Sequence, residues 1–278
     1  MNSLLGVHQY EALKPYVQIA RIDHWFKNVF MLLGVLLAFF YTPELFVWSQ
    51  IVQVAIALVA TCLMASSNYV LNELLDAPSD RFHPIKKFRP VPSGKIRPPL
   101  AVCEWLLLGI SGAAVSSLLH RHFLFVALIL WVMGVLYNVP PVRTKELPYL
   151  DVLSESINNP LRLLLGWFAL IPERLPPLSL LIAYWMVGAF FMATKRFAEY
   201  RALGNPTVAA QYRKSFAYYT EERLLVSMLF YVAMCALFAG IFLVRYHLEL
   251  ILFLPVAAGF FAYCFQLGLK QDSPVQNP

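Results

Sequence analysis

The most informative segment of the sequence runs from Trp48 to Asp80 and reads WSQIVQVAIALVATCLMASSNYVLNELLDAPSD. Its apolar part, residues 48–73, is long enough for an α-helix to cross the hydrocarbon core of a bilayer, which takes about 20 residues. Its polar end carries Asn72, Asp76 and Asp80 at intervals of four residues, so a continuing helix places them on one face. The stretch predicts a membrane-spanning helix with a polar stripe at one end.

The composition of the 278-residue chain agrees with a membrane protein. Hydrophobic residues make up 59% and charged residues only 14%, and the mean hydropathy is +0.62, whereas soluble domains carry about 25% charged residues. This apolar content excludes a disordered chain and a nucleic-acid-binding protein, despite the net charge of +6. The four cysteines stand singly in apolar runs, which predicts neither a zinc site nor a disulfide framework.

Eight apolar stretches approach the length of a membrane helix and contain few charges. They lie near residues 25–42, 48–73, 99–119, 123–140, 150–171, 177–195, 222–244 and 248–268. We therefore predict an all-α integral membrane bundle of about eight transmembrane helices, which forms a single domain over residues 1–278.

Basic residues set the predicted orientation of this bundle. The long polar connections at 76–98, 141–149 and 196–221 alternate with very short ones and carry most of the 22 Lys and Arg residues. By the positive-inside rule these long loops are cytosolic, and an even number of crossings leaves both termini on that side. Residues 1–24 are too polar for a signal peptide, which agrees with a cytosolic N-terminus. We expect the chemistry on the cytosolic side.

The polar end of the 48–80 stretch predicts a metal site. Two carboxylates and an amide oxygen that converge at a membrane surface repel each other unless a cation lies between them. Hard oxygen ligands suit Mg²⁺ holding a diphosphate. Three basic residues in the next loop are suited to binding the same phosphates: Lys86, Lys87 and Arg89. The alternative is a solvated helix end that is merely rich in charge.

The pattern N-x-x-x-D-x-x-x-D at residues 72–80, followed by H-P-x-K-x-x-R-P-x-P-S-G at residues 83–94, resembles the UbiA superfamily of intramembrane prenyltransferases. The resemblance runs through most of the chain. It implies a bundle of membrane helices around a central cavity, in which Asn72, Asp76 and Asp80 bind Mg²⁺ and a diphosphate. Members that prenylate aromatic rings carry a second Asp-rich motif after the sixth span, and this sequence departs from that pattern.

The segment after the sixth predicted span reads KRFAEYRALG at residues 195–204, with two leading cations and one carboxylate in place of an aspartate cluster. Together with the start of the first span, it resembles one branch of the superfamily, the polyprenyl-phosphate (decaprenyl-phosphate) 5-phosphoribosyltransferases. The residues that this resemblance implies for substrate binding are Lys27, Asn28, Lys195, Arg196 and Glu199. The alternative is that these cations are positive-inside charges and an interfacial anchor.

The fifth apolar stretch carries Asp151, Glu155, Asn159 and Arg162 at helical spacing, which predicts one polar stripe. Burying each such residue in hydrocarbon costs about 3 kcal/mol on insertion scales, so we expect the stripe to face the bundle interior. It forms either a cavity wall that contacts the ribose or the lipid phosphate, or a structural network between Glu155 and Arg162. Residues 158–160 read NNP, which predicts a helix kink.

The end of the fourth span carries Tyr137, Arg143 and Lys145, where related enzymes have a tyrosine and a basic pair. We interpret the two basic residues as contacts for a lipid phosphate or for headgroups. Members of the superfamily usually have nine crossings, whereas this chain stops at residue 278 after eight predicted ones. We expect that departure to affect stability and lipid access rather than chemistry.

The resemblance implies a Mg²⁺-dependent transfer of 5-phosphoribose from phosphoribosyl diphosphate to a polyprenyl monophosphate, with release of diphosphate, in cell-envelope biosynthesis at a bacterial inner membrane. Asn72, Asp76 and Asp80 would hold the metal against the diphosphate. Lys27 would orient one of the two anionic substrates. The diphosphate and the 5-phosphate would be bound by Lys86, Lys87, Arg89, Lys195 and Arg196.

Two other functions stay open at the level of sequence. In the first, the same fold transfers a prenyl group from a prenyl diphosphate to an aromatic acceptor, against which the missing second Asp-rich motif argues. The second is a transporter or channel, for which the intramembrane Arg162 would count. Against transport, the polar residues cluster at one face and form no continuous path across the bilayer.

Overall fold

The computed structural model describes residues 13–81 and 85–270. Three segments lie outside these ranges. Residues 1–12 are part of the stretch that we predicted not to be a signal peptide, and residues 271–278 form the end of the chain. Residues 82–84 include the His-Pro pair of the H-P-x-K pattern.

Helices make up the fold, and no strand occurs in the described ranges. The α-helices, numbered in chain order, are α1 (Leu32–Tyr41), α2 (Trp48–Asp80), α3 (Pro98–Ser117), α4 (Arg121–Asn138), α5 (Leu150–Ser156), α6 (Asn158–Phe168), α7 (Leu178–Leu203), α8 (Pro206–Tyr212), α9 (Glu221–Tyr246) and α10 (Leu254–Gly268). Short 3₁₀ segments join them at Ile22–Met31, Pro43–Leu45, Lys86–Phe88, Thr144–Glu146, Lys214–Ala217 and Leu248–Phe253. The predicted all-α membrane bundle is confirmed.

Seven helical stretches of the described chain are long and apolar enough to cross a membrane. The fifth predicted stretch, residues 150–171, is not among them, because it forms two short helices that meet at Ile157. Pro160 lacks an amide hydrogen and cannot continue the hydrogen-bond ladder back into α5. The side-chain amide of Asn158 instead donates to the Glu155 carbonyl at 2.9 Å. The kink predicted at this point is therefore a complete break between two helices.

Helix α2 is longer than the apolar stretch that predicted it. It has 33 residues and is about 50 Å long at the rise of an α-helix, whereas the hydrocarbon core is about 30 Å thick. The helix continues through Pro78 and ends at Asp80, so its last turns lie beyond the apolar span. Asn72, Asp76 and Asp80 consequently share one helical face, as the spacing predicted.

The described chain divides into two compact units, whose residues belong to Met1–Val142 with Leu161–Arg174 and to Arg143–Pro160 with Leu175–Pro278. The single domain that we predicted over the whole chain stays a prediction. In the first unit α2 packs against α3 and α4. A small apolar core at the polar end of α2 attaches the following loop to the helix: Ile19, Val70, Ala77, Val91, Ile96 and Ala101.

In the second unit α7 packs against α9 and α5. The core of this unit is aromatic and aliphatic, and it includes Phe190, Phe197, Phe216, Tyr219, Leu224 and Met228. The 3₁₀ segment Lys214–Ala217 contributes Phe216 to this core, so the loop after α8 is fixed against the last turns of α7. These last turns carry residues 195–199.

Candidate functional site

The polar stripe of α2 combines a buried carboxylate with two half-buried polar residues. Asp80 is buried, and Asn72 and Asp76 are half-buried. The Ser79 hydroxyl donates to the Asp76 carbonyl at 2.9 Å, which caps the last turn of the helix. The side-chain NH₂ of Asn72 donates to the carbonyl oxygen of the Asn138 side chain at 2.6 Å. The stripe therefore lies where α2 leaves the span, beside α4.

The basic loop after α2 folds back onto this stripe. Arg89 Nη1 lies 2.7 Å from Asp80 Oδ2, and Lys86 Nζ lies 4.0 Å from Asp80 Oδ1. Lys87 is exposed, with its ammonium 5.1 Å from the centre of the Phe88 ring. The structure thus brings two of the three predicted phosphate ligands to the acidic stripe, while Lys87 lies at the surface.

Glu73 supports this loop, and the sequence did not single it out. Its side chain is 2% exposed and accepts a hydrogen bond from the Val91 amide at 3.1 Å. Arg21 Nη2 lies 3.7 Å from its second oxygen. Because its main partner is a backbone amide 18 residues away, no pairing of residue types in the sequence points to it.

The oxygen donors of the stripe fit a hard divalent cation. Asp76, Asp80 and Asn72 offer the carboxylate and amide oxygens that Mg²⁺ prefers. One carboxylate oxygen of Asp80 is paired with Arg89, so a cation at Asp80 would share or displace that contact. Within residues 13–81 and 85–270, no group of three or more His, Cys, Asp or Glu side chains is arranged to hold a metal. The predicted ligand set contains only two residues of these types, Asp76 and Asp80, and its third member is the amide of Asn72.

The predicted substrate-binding residues of the first span lie next to one another in the first unit. Asn28 is fully buried and accepts a hydrogen bond from Arg162 Nε at 3.0 Å. Its NH₂ lies 3.3 Å from the Cys62 sulfur. Lys27 is half-buried, with its ammonium 5.9 Å from the centre of the Phe26 ring. Asn28 therefore holds the guanidinium of Arg162, a residue of α6.

Arg196 of α7 forms the centre of a charged cluster in the second unit. Its side chain is 3% exposed, and its guanidinium contacts Glu155 Oε2 at 3.0 Å, Glu199 Oε2 at 3.0 Å and Asp151 Oδ2 at 3.3 Å. Its neighbour Lys195 is half-buried. The predicted stripe of the fifth stretch is divided by the helix break, because Asp151 and Glu155 lie on α5 whereas Asn159 and Arg162 lie on α6.

Asp151 is fully buried and contacts four side chains of the second unit. Besides Arg196, it accepts hydrogen bonds from the Tyr219 hydroxyl at 2.6 Å and from the Ser215 hydroxyl at 3.2 Å. Arg213 Nη1 lies 3.5 Å from the same carboxylate. Burial and the adjacent Asp151 charge raise the pKa of Tyr219 well above its usual range, so its phenol stays protonated and donates. Sequence reasoning named Asp151 but missed Arg213, Ser215 and Tyr219, which lie between α8 and α9.

The remaining predicted residues lie at helix ends. Tyr137 is half-buried in the last turn of α4. Arg143 Nε lies 2.8 Å from Glu146 Oε1, so this guanidinium is paired within the second unit. Lys145 is buried. Asn159 lies against Gly188, where a Cβ would overlap the Asn159 side-chain amide.

Comparisons with known proteins identify the family of the chain. The profile of the UbiA prenyltransferase family matches residues 28–277. The decaprenyl-phosphate phosphoribosyltransferase of Corynebacterium glutamicum is 31% identical over 210 residues, which are 75% of this chain and 60% of that protein. The enzyme of the same name from Mycolicibacterium smegmatis is 32% identical over 213 residues, 75% of this chain and 63% of that protein. The alignments thus span less than two thirds of the length of these two relatives.

Solved structures show the same fold. A UbiA homologue from Archaeoglobus fulgidus, bound to DMAPP and Mg²⁺, superposes with a TM-score of 0.74 over 95% of this chain and 90% of that chain, at 19% sequence identity. The described helices, the polar stripe of α2 and the family match lead to one conclusion. The chain is an integral membrane protein that belongs to the UbiA prenyltransferase family.

Proposed function

We propose that this protein transfers 5-phosphoribose from phosphoribosyl diphosphate to a polyprenyl monophosphate and releases diphosphate. The observation that carries this choice within the family is the cluster around Arg196. Members that prenylate aromatic rings use an acidic motif after the sixth span, as described above. Here Glu199, the one carboxylate of residues 195–204, is paired with Arg196, and the same guanidinium also contacts Asp151 and Glu155 of α5. The names of the bacterial relatives support the same reaction.

The stripe of α2 is the proposed metal and diphosphate site. Asn72, Asp76 and Asp80 would hold Mg²⁺, which when bound neutralises negative charge on the leaving diphosphate. Lys86 and Arg89 lie beside Asp80 and would donate charge-assisted hydrogen bonds to diphosphate oxygens. Since Arg89 pairs with Asp80, we expect it to exchange a carboxylate for a phosphate partner when substrate binds.

The acceptor needs no general base in this reaction. A lipid phosphate is already anionic at neutral pH, so its oxygen is the nucleophile as it stands. The bond from the anomeric carbon to the diphosphate oxygen breaks and leaves its electron pair on diphosphate, while a bond to the lipid phosphate oxygen forms. We expect attack on the face opposite the leaving group, which inverts the anomeric carbon.

The cluster in the second unit would bind the sugar phosphate. Lys195, with its half-buried side chain, is the proposed ligand of the 5-phosphate. Arg196 fixes Glu155 and Glu199 in place, and carboxylates accept the hydrogen bonds that ribose hydroxyls donate. Arg196 thus takes a supporting role in this proposal, in contrast to the direct phosphate contact that its sequence position suggested.

One experiment tests the reaction against its rival within the fold. The purified protein in lipid nanodiscs is incubated with radiolabelled phosphoribosyl diphosphate and polyprenyl phosphate, and in parallel with geranylgeranyl diphosphate and an aromatic acid. We expect a lipid-soluble labelled product in the first reaction, and its loss in the Asp80→Asn variant. Product in the second reaction alone would overturn the proposal in favour of prenyl transfer.

The same assay tests the assignment of the second cluster. If the protein were a prenyltransferase without its second acidic motif, Lys195→Asp combined with Arg196→Asp should improve turnover of a prenyl diphosphate. We expect this double variant to lose activity with phosphoribosyl diphosphate and to gain none with the prenyl substrate. A gain of prenyl transfer would contradict the proposed function.

A further inference from the structure

A chain of asparagine side chains joins α2 to α4 in the first unit. The Asn68 NH₂ donates to the Leu130 carbonyl at 2.9 Å, and the Asn72 NH₂ donates to Asn138 Oδ1 at 2.6 Å. The Asn138 NH₂ in turn donates to the Gly134 carbonyl at 2.9 Å. Asn68 and Asn72 are four residues apart and continue towards Asp76 and Asp80, so the metal stripe begins inside the helix contact.

The order of these hydrogen bonds fixes the orientation of each amide. A backbone carbonyl can only accept, so the Gly134 carbonyl requires the NH₂ of Asn138 on its side. The carbonyl oxygen of Asn138 then points to Asn72, which must offer its own NH₂. An amide carries its oxygen and its nitrogen on opposite sides. The carbonyl oxygen of Asn72 is therefore turned away from Asn138.

Packing holds this arrangement in place. Asn138 is 2% exposed, so water does not compete for its hydrogen bonds. At Gly134, a Cβ would overlap the side-chain amide of Asn68, which means that the two helices approach closely because this position is glycine. The amide order is thus set by a rigid helix pair.

We propose that Asn138 is a positioning residue that turns the Asn72 amide so that its oxygen, and not its NH₂, is available to the cation held by Asp76 and Asp80. The inference rests on the proposed function, because it concerns the metal site of that reaction. Divalent magnesium binds oxygen ligands and is repelled by the partial positive charge of an NH₂ group. A reversed Asn72 would therefore weaken the site while leaving both carboxylates in place.

The test is a double-mutant cycle on metal binding that requires no turnover. Mn²⁺ is titrated, with inorganic diphosphate present, into the full chain in nanodiscs, and free Mn²⁺ is measured by electron paramagnetic resonance. We expect Asn138→Leu to weaken Mn²⁺ binding about fivefold, the fold-change of one net hydrogen bond. In an Asn72→Asp background the same change should alter binding by less than about twofold, because a carboxylate has oxygen on both sides and needs no orientation.

Ser67→Ala is the matched control, since it removes a hydrogen bond between the same two helices, from Trp131 Nε1 to Ser67 Oγ at 2.9 Å, and leaves the Asn72 amide in place. We expect it to bind Mn²⁺ as the parent does. If Asn138→Leu weakens Mn²⁺ binding equally in the protein with Asn72 and in the Asn72→Asp variant, Asn138 acts through packing alone. If Asn138→Leu leaves Mn²⁺ binding unchanged in the protein with Asn72, Asn138 has no role in the metal site. Either result overturns the inference.

A parent protein that binds no Mn²⁺ would instead overturn the metal site of the proposed function, and the Asn138 variants are not needed to see it. Size-exclusion chromatography checks that each variant is folded. If Asn138→Leu does not yield folded protein, Asn138→Ala carries the same cycle, because it removes the same acceptor oxygen without added bulk.

Discussion

Lys195 and Arg196 carry the same charge at adjacent positions, yet they have different surroundings. The Arg196 side chain contacts three carboxylates and is almost fully buried, whereas Lys195 is half-buried. A guanidinium satisfies several carboxylates at once because it presents five donors in a planar fork. At the scale of single residues, Arg196 therefore stabilises the carboxylate cluster, and we propose that Lys195 binds substrate.

This difference makes two adjacent substitutions diverge. Arg196→Leu should lower the free energy of unfolding by about 3–5 kcal/mol, because it leaves the buried Asp151 carboxylate without its main counter-charge. Lys195→Ala should leave thermal stability unchanged and reduce kcat/KM for phosphoribosyl diphosphate about ten- to a hundredfold, as the loss of one charged phosphate contact does. Thermal unfolding and steady-state kinetics distinguish them. Equal stability losses in both variants would contradict the assignment.

The metal stripe leads to a second prediction at the same scale. Asp76→Asn or Asp80→Asn should abolish turnover in a protein that remains folded, because each removes a metal charge at the end of α2 and leaves the apolar core intact. EDTA should inhibit the parent fully, with rescue by Mg²⁺ or Mn²⁺. Ser79→Ala, in the same helical turn, is the control and should retain activity. EDTA-resistant turnover would count against the metal site.

At the scale of elements, the loop after α2 owes its position to buried contacts with the helix. Val91 and Ile96 lie in the apolar core at the polar end of α2, and Glu73 accepts the Val91 amide hydrogen. Arg89 is two residues before Val91 and reaches Asp80. The backbone contacts of the loop with α2 thus hold Lys86 and Arg89 beside the Asp80 carboxylate.

Substitutions at Glu73 test this anchoring. Glu73→Leu leaves the Val91 amide without its acceptor, and we expect the apparent KM for phosphoribosyl diphosphate to rise about tenfold as Lys86 and Arg89 lose their position. Glu73→Gln keeps an acceptor oxygen and should stay close to the parent. Steady-state kinetics give KM and kcat of the Glu73→Leu and Glu73→Gln variants relative to the parent. Two variants that lose kcat alike, with KM unchanged, would show that Glu73 acts otherwise.

At the scale of the whole molecule, the distribution of basic residues predicts which side of the membrane carries the chemistry. The loop that contains Lys86 and Arg89, and the segment from 196 to 221, are rich in Lys and Arg, so the positive-inside rule predicts that they lie in the cytosol. The first of these loops joins two candidate membrane helices, which end at Asp80 and begin at Pro98.

Cysteine labelling tests this orientation. In a variant without the four native cysteines, of which Cys103 is exposed, single cysteines are introduced at Ser93, Asn205 and Pro43. Impermeant thiol reagents should modify the first two only from the cytosolic side and the third only from the opposite side. If Ser93 and Pro43 react from the same side, the orientation of the spans is wrong.

The features that could be predicted from sequence are those that depend on local spacing. Apolar length predicted seven of the eight stretches as membrane helices, because the hydrocarbon thickness sets a minimum length, and it was wrong for residues 150–171. The four-residue spacing of Asn72, Asp76 and Asp80 predicted a shared face, because α-helical geometry is the same in every fold. The NNP sequence at residues 158–160 predicted a kink at the place where the structure has a break between two helices, since proline removes a backbone donor wherever it occurs. The family resemblance depended on the same short-range patterns.

The pairing of polar groups, in contrast, depends on the packing of distant helices. Arg196 and Asp151 are 45 residues apart, Asn72 and Asn138 are 66 apart, and neither spacing follows a helical period. The sequence around Arg196 does not show whether its guanidinium contacts a phosphate or three carboxylates. Glu73 pairs with a backbone amide, which every residue except proline has, so no residue type marks its partner. Burial and partner choice depend on how distant helices pack, which short-range patterns do not encode.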